Sequence, residues 1–242
     1  DCAKEEAIST LLEMAEYKKN GKCRYLIVTG CLPQRYADEL AEGLPEADAF
    51  LGTAGYDRLP EVIDRLDRGE RGIVLRNDKD DRCPVAPRIL TTPEHYAYIK
   101  IAEGCSNRCT YCAIPSIRGA YTSRDMDSVV DEARRLLAEH PIKELIVVAQ
   151  DVTRYGEDLY GECKLIELLE RLSALDVEWI RLLYLYPERI TDELLDYIAA
   201  NEKICNYLDI PCQHYSDKIL KRMNRKISSA RIDALIDRIR SK

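Results

Sequence analysis

EGCSNRCTYCAIPSIRG, residues 103–119, sets Cys105, Cys109 and Cys112 in a C-x₃-C-x₂-C pattern, with Tyr111 directly before the last thiol. Three thiols within eight residues can fold around one metal centre, and soft sulfur ligands select zinc or iron–sulfur clusters. The number three is the informative part. A structural zinc or an electron-transfer cluster takes four protein ligands. A cubane held by three cysteines leaves one iron open to a chelating small molecule. Random placement of the chain's ten cysteines would give this spacing in about one chain in sixty. The competing readings are inert buried thiols and a zinc site completed by a distant Cys83, His95 or Cys163.

Composition permits a well-packed enzyme. Hydrophobic residues make up 46% and charged residues 33% of 242 positions, enough for one large or two modest domains. No apolar run approaches the roughly 20 residues of a membrane span, and no signal-peptide pattern opens the sequence. Ten cysteines in this length fall below the roughly 8–10% that marks a disulfide scaffold, so a reducing, cytoplasmic setting is expected. The net charge of −7 argues weakly against broad electrostatic binding to nucleic acid. The basic run Lys218, Lys221, Arg222, Arg225 and Lys226 reads as a solvated helix face. The sequence opens on Asp1-Cys2 with no strand and ends inside a helical pattern at Ser241-Lys242, so a fragment of a longer protein is expected.

Working outward, the pattern alternates. Residues 3–19 carry apolar positions at helical spacing, and 24–29 read as a buried strand followed by Gly30-Cys31-Leu32-Pro33. A helix to residue 42, a strand at 47–51, a helix at 56–68 and a strand at 72–75 complete a small parallel α/β domain over 1–75. Cys31 then lies just past a strand's carboxyl end, the edge where open α/β sheets bind ligands, although a small residue at a tight turn explains it equally. Residues 76–93, rich in charge and proline, read as a linker.

A second alternation fills 94–242. Strands are expected at 96–102, 144–149, 179–184 and 206–210, and helices at 128–140, 163–175, from a Thr191 cap to 200, after Ser216, and from Ser228 or Ser229 onward. Repeated βα units predict a β/α barrel, complete or partial, with its chemistry at the carboxyl ends of the strands. That rule gathers the three cysteines with Gln150-Asp151, Tyr186-Pro187-Glu188 and Gln213-His214. Local loop capping is the alternative role for each polar residue.

The cysteine segment resembles the radical S-adenosylmethionine (SAM) enzymes, which share C-x₃-C-x-aromatic-C. The resemblance implies a 4Fe–4S cluster on Cys105, Cys109 and Cys112, whose open iron binds SAM and whose electron cleaves it to a 5′-deoxyadenosyl radical. It extends further. TGCL with Gln34, YIKIAEGCSNRCTYCAIPSIRG, AQDV with Tyr155-Gly156, and DIPCQHYSDKILKRMNR occur in this order in methylthiotransferases, which insert sulfur into an unactivated C–H bond and methylate it. The implied fold is a small parallel α/β domain followed by a truncated, TIM-like radical SAM barrel. Tyr111, Gln150 and Gln213 become the expected cofactor-binding residues.

Within that family the sequence is most similar to the type that modifies the β-carbon of an aspartate in the twelfth small-subunit ribosomal protein. The tRNA-adenosine type is the alternative; it typically has Gln-Ser-Gly-Ser where Gln213-His214-Tyr215-Ser216 stand, and Gln-Asn in place of Gln150-Asp151. The family carries a second, auxiliary 4Fe–4S cluster on three cysteines. Only the last of these is matched, by Cys31; the other two, and the carboxyl-terminal TRAM domain, would lie outside this sequence, and Cys2 stands in the wrong context to be a ligand. An electron donor such as flavodoxin or ferredoxin is implied, and no membrane partner. Outside this class remain a zinc-stapled binding module and an electron-transfer protein with a fourth thiolate.

Overall fold

The computed structural model describes residues 2–76 and 88–242, so Cys83 and most of the expected linker lie outside the described residues. The remainder divides into two compact units, the chain up to residue 76 together with Ser116–Arg118, and the rest.

In the first unit, α1 (Cys2–Asn20), β1 (Ile27–Thr29), α2 (Cys31–Gly43), β2 (Ala49–Leu51), α3 (Leu59–Asp67) and β3 (Ile73–Leu75) build a parallel sheet in the order β1-β2-β3. The central strand β2 is buried throughout, as a parallel strand covered on both faces must be. Its side chains alternate. Phe50 packs with Val28, Leu40 and Leu44 on one face, and Ala49 and Leu51 pack with Val62 and Leu66 on the other. Asp48, buried beside β2, accepts from the Leu26 amide and from Lys18 Nζ, each at 2.7 Å.

The second unit is a parallel sheet ordered β4 (Tyr96–Lys100), β7 (Glu144–Val148), β8 (Trp179–Leu182) and β9 (Ile204–Leu208). Neighbours in space are neighbours in the alternation, as a β/α barrel layer requires. Ala97, Ile99, Leu145, Val147, Ile180 and Leu182 face the helices α5 (Met126–Glu139), α7 (Leu165–Ser173) and α8 (Asp192–Ala200), where Val129, Leu168, Leu169 and Leu194 complete the core. The opposite face is more open and more polar. Tyr98 and Tyr207 are exposed there, and Arg181 donates to Glu144 at 2.5 Å while stacking on Tyr207. No helix among the described residues is long and apolar enough to cross a membrane.

The sequence pattern and the structure differ in informative places. The strand expected over 96–102 stops at Lys100. Ala102–Glu103 (β5) turns away to pair antiparallel with Thr122–Ser123 (β6), which pinches the cysteine segment at its base. The last strand lies at Ile204–Leu208 rather than 206–210. Ile114–Arg118 (α4) and Glu157–Tyr160 (α6) are too short for periodicity to reveal. Thr191 caps α8 through the Leu194 amide, and Ser228 caps α10 (Ser229–Ser241) through the Arg231 amide. Ser216 stands before α9 (Asp217–Arg222) without a side-chain cap bond.

Leu169 is fully buried at the centre of the second core. Leu169→Ala is expected to destabilise the chain by about 2–5 kcal/mol, read as a lower urea midpoint. A loss below the low end of that range would mean that this helix layer packs loosely.

Candidate metal centre

A parallel sheet delivers every following loop to one edge, so the cysteine segment, Gln150-Asp151, Tyr184–Glu188 and Gln213 all emerge at the carboxyl ends of β4–β9. The segment leaves β5 through Gly104, whose φ is +71° and at which an added Cβ would lie 2.2 Å from the Ala120 carbonyl oxygen. Only glycine permits that approach. The Cys105 amide donates to Gly119 O at 3.2 Å and the Tyr121 amide to Ser106 Oγ at 3.1 Å, closing the neck of the loop.

Two further attachments fix its interior. Asn107 Nδ2 donates to Asp151 Oδ2 at 2.8 Å, while Asp151 Oδ1 receives the Thr153 amide at 3.1 Å and its hydroxyl at 2.5 Å. Asp151 is fully buried, so it holds the loop and is not open to a small molecule at the mouth. At the loop's other end the Thr110 amide and hydroxyl donate to the carbonyls of Met223 (3.2 Å) and Arg222 (3.0 Å), and Asn224 Nδ2 donates to Arg108 O at 2.9 Å. Arg108, Tyr184 and Gln213, in these strand-end loops, and Asn224, just past α9, all carry left-handed backbones. Strained residues persist only where their surroundings hold them, as happens around functional sites.

The three thiols differ in setting. Cys112 is exposed, while Cys105 and Cys109 are half-buried. Burial pushes the Cys105 thiol up, with smaller contributions from Asp151 and the other two cysteines. Metal binding must therefore release a proton there. Cys109 Sγ lies 3.3 Å from the Tyr186 hydroxyl. Among the described residues no three Cys, His, Asp or Glu side chains converge as a single metal ion demands. In kind, the three thiols fit a multi-iron cluster, in which each thiolate meets a different iron.

The other expected residues divide. Tyr111 (51% exposed), Gln150 and Gln213 are open to solvent at the strand-end edge. His214 Nδ1 accepts from the Ser216 amide at 2.9 Å, so it shapes its own turn. Glu188 grips Arg225 with both oxygens, at 3.0 and 3.1 Å. Arg225 corrects the expectation of a solvated basic face. It lies past the end of α9 and is 5% exposed, whereas Lys218, Lys221, Arg222 and Lys226 are exposed as expected. A cleft of about 800 Å³ is lined by Thr153, Cys163, Glu167, Glu188, Arg189 and Glu193, and none of the three loop cysteines lines it.

Within the first unit, Cys31 opens α2, preceded by Gly30 at φ +107°, and Arg118 Nη2 lies 3.5 Å from its sulfur. The sequence signals this position through TGCLP. It gives no sign of Arg118, which is far away along the chain.

The radical SAM superfamily profile matches residues 99–242, and the chain belongs to that superfamily. More particular similarities cover nearly all of it. It is 52% identical over 241 residues to a protein of Alkaliphilus oremlandii and 53% identical over 242 residues to one of Caldicellulosiruptor saccharolyticus, each named ribosomal protein uS12 methylthiotransferase RimO. These alignments take in 99% of this chain but 53% and 54% of the relatives, so the chain spans about half of their length. Among solved structures, the radical SAM methyltransferase TsrM of Kitasatospora setae superposes with a TM-score of 0.57 at 15% identity, over 96% of this chain and 57% of that one. That likeness supports the fold.

Asp151→Ala would leave Asn107 and the Thr153 amide without their buried acceptor, a loss of about 1–3 kcal/mol for each unsatisfied group. The expected result is a lower unfolding midpoint together with faster proteolytic cleavage within residues 104–119. Wild-type cleavage rates would show that Asp151 does not hold the loop.

Proposed function

We propose that the chain is the cluster-holding part of a methylthiotransferase that acts on an aspartate β-carbon of ribosomal protein uS12. The observation that carries this reading is the trio Cys105, Cys109 and Cys112, on a loop pinched and pinned at the carboxyl edge of a parallel sheet. Half-identity over nearly the whole chain to proteins named for that activity supports the substrate. The net charge of −7 agrees with a basic protein partner.

On this reading the three thiolates hold a 4Fe–4S cluster, and Cys31 is one ligand of an auxiliary cluster. The bound cluster and SAM supply a radical able to break an unactivated C–H bond. The chain's part is to bind and to orient. Tyr111, Gln150 and Gln213 line the mouth where SAM would dock, and Asn107, Asp151 and Thr110 keep the cysteine loop from spreading. Arg118 places a guanidinium beside the Cys31 sulfur. The working compartment is the cytoplasm, with an electron donor of the flavodoxin or ferredoxin class.

Two variants of the full-length protein separate the roles. Cys109→Ala should abolish reductive cleavage of SAM, and Cys31→Ala should retain uncoupled cleavage while stopping methylthio transfer. SAM cleavage surviving in Cys109→Ala would refute the cluster assignment. For the substrate, mass spectrometry of uS12 and of tRNA from a strain lacking the gene should show an unmodified uS12 aspartate and normal tRNA. Loss of a tRNA methylthio group instead would transfer the activity to the tRNA-adenosine type.

A further inference from the structure

Arg225 is a deeply buried cation beside the cysteine loop. Its side chain is 1% exposed, and that of its partner Glu188 is 7% exposed. A buried ion pair is weak evidence for stability, because desolvating both charges offsets their attraction. A role in specifying geometry has to be sought in what the pair touches. The Arg225 guanidinium lies 3.9 Å from the centroid of the Tyr186 ring, and the Tyr186 hydroxyl lies 3.3 Å from Cys109 Sγ. Glu188 also accepts from the Lys226 amide at 3.1 Å, so three hydrogen bonds fix its carboxylate. The chain of contacts therefore runs from a locked carboxylate to a guanidinium, across an aromatic face, to a thiol of the loop.

We propose that Arg225, held by Glu188, is a positioning residue that fixes Tyr186 as a hydrogen-bond donor to the Cys109 sulfur, and that this contact sets the reduction potential of the cluster on the loop. The inference rests on the cluster reading above. A cysteine bound to iron is a thiolate and has no proton to give, so the phenol must donate. A cation over the ring draws density from the π face and makes the hydroxyl a stronger donor. Hydrogen bonds to the ligand sulfurs and nearby net charge are the means by which a protein moves such potentials. Both act in one direction here. A donor and a cation stabilise the more negative, reduced form, so the arrangement makes the cluster easier to reduce.

The test is an EPR-monitored redox titration of the full chain, reconstituted anaerobically with iron and sulfide, at matched iron content per chain. Tyr186→Phe keeps the ring beneath Arg225 and removes only the donor; the midpoint potential should fall. Arg225→Met should also lower it, and the double variant should shift by less than the sum of the two single changes, because part of the Arg225 effect passes through the Tyr186 hydroxyl. Tyr186→Phe decides the matter alone if Arg225→Met does not fold. An unchanged potential in Tyr186→Phe overturns the proposal while leaving the cluster reading intact, and strictly additive shifts overturn the role of Arg225 through Tyr186. An unmodified chain that takes up no iron and sulfide overturns both readings together.

Discussion

A single buried carboxylate joins the scaffold to the chemistry. Asp151 stands just past β7, the strand between β4 and β8, and has no exposure to solvent. One of its oxygens caps the turn at Thr153, and the other reaches across to Asn107, two residues past the first cysteine. A buried polar group must be satisfied, and a carboxylate with both oxygens committed can hold its partners only in one arrangement. The position of the cysteine loop is thus inherited from the rigid sheet, where precision is highest, and not from the loop itself.

The same logic recurs around the edge. Gly104 lets the chain pass against Ala120, the β5–β6 pair closes the base, and Thr110 and Asn224 bind the loop to the chain near the end of α9. Each attachment uses backbone groups or short polar side chains, which lose little rotamer freedom when ordered. Long, solvated side chains are left at the mouth, where Tyr111, Gln150 and Gln213 remain open. Rigid support beneath and exposed polar groups above are what a site needs if it must hold a cofactor and admit a large substrate.

The alternation of strands and helices was legible in the sequence because each element buries one face. Residues such as Val147, Leu169 and Leu194 repeat at the spacing their structure requires. The cysteines were legible because three thiols at that spacing have few other uses. What stayed hidden depends on distance along the chain. Nothing local marks Asp151 as a partner of Asn107, 44 residues away, or Glu188 as the partner of Arg225, 37 residues away. The basic run around Arg225 misled for the same reason, since a charge cluster reads as solvated until the tertiary fold supplies an acid to bury one member. Short elements such as α4 and α6 escape because one turn of helix carries no period.

The central claim is that one iron of the cluster on Cys105, Cys109 and Cys112 lacks a protein ligand and is taken by SAM. Mössbauer spectroscopy of the chain reconstituted with isotopically enriched iron tests it most directly. The account predicts that SAM shifts the signal of one iron in four while the other three keep theirs. Four irons that ignore SAM, or a chain that binds zinc in their place, would contradict it.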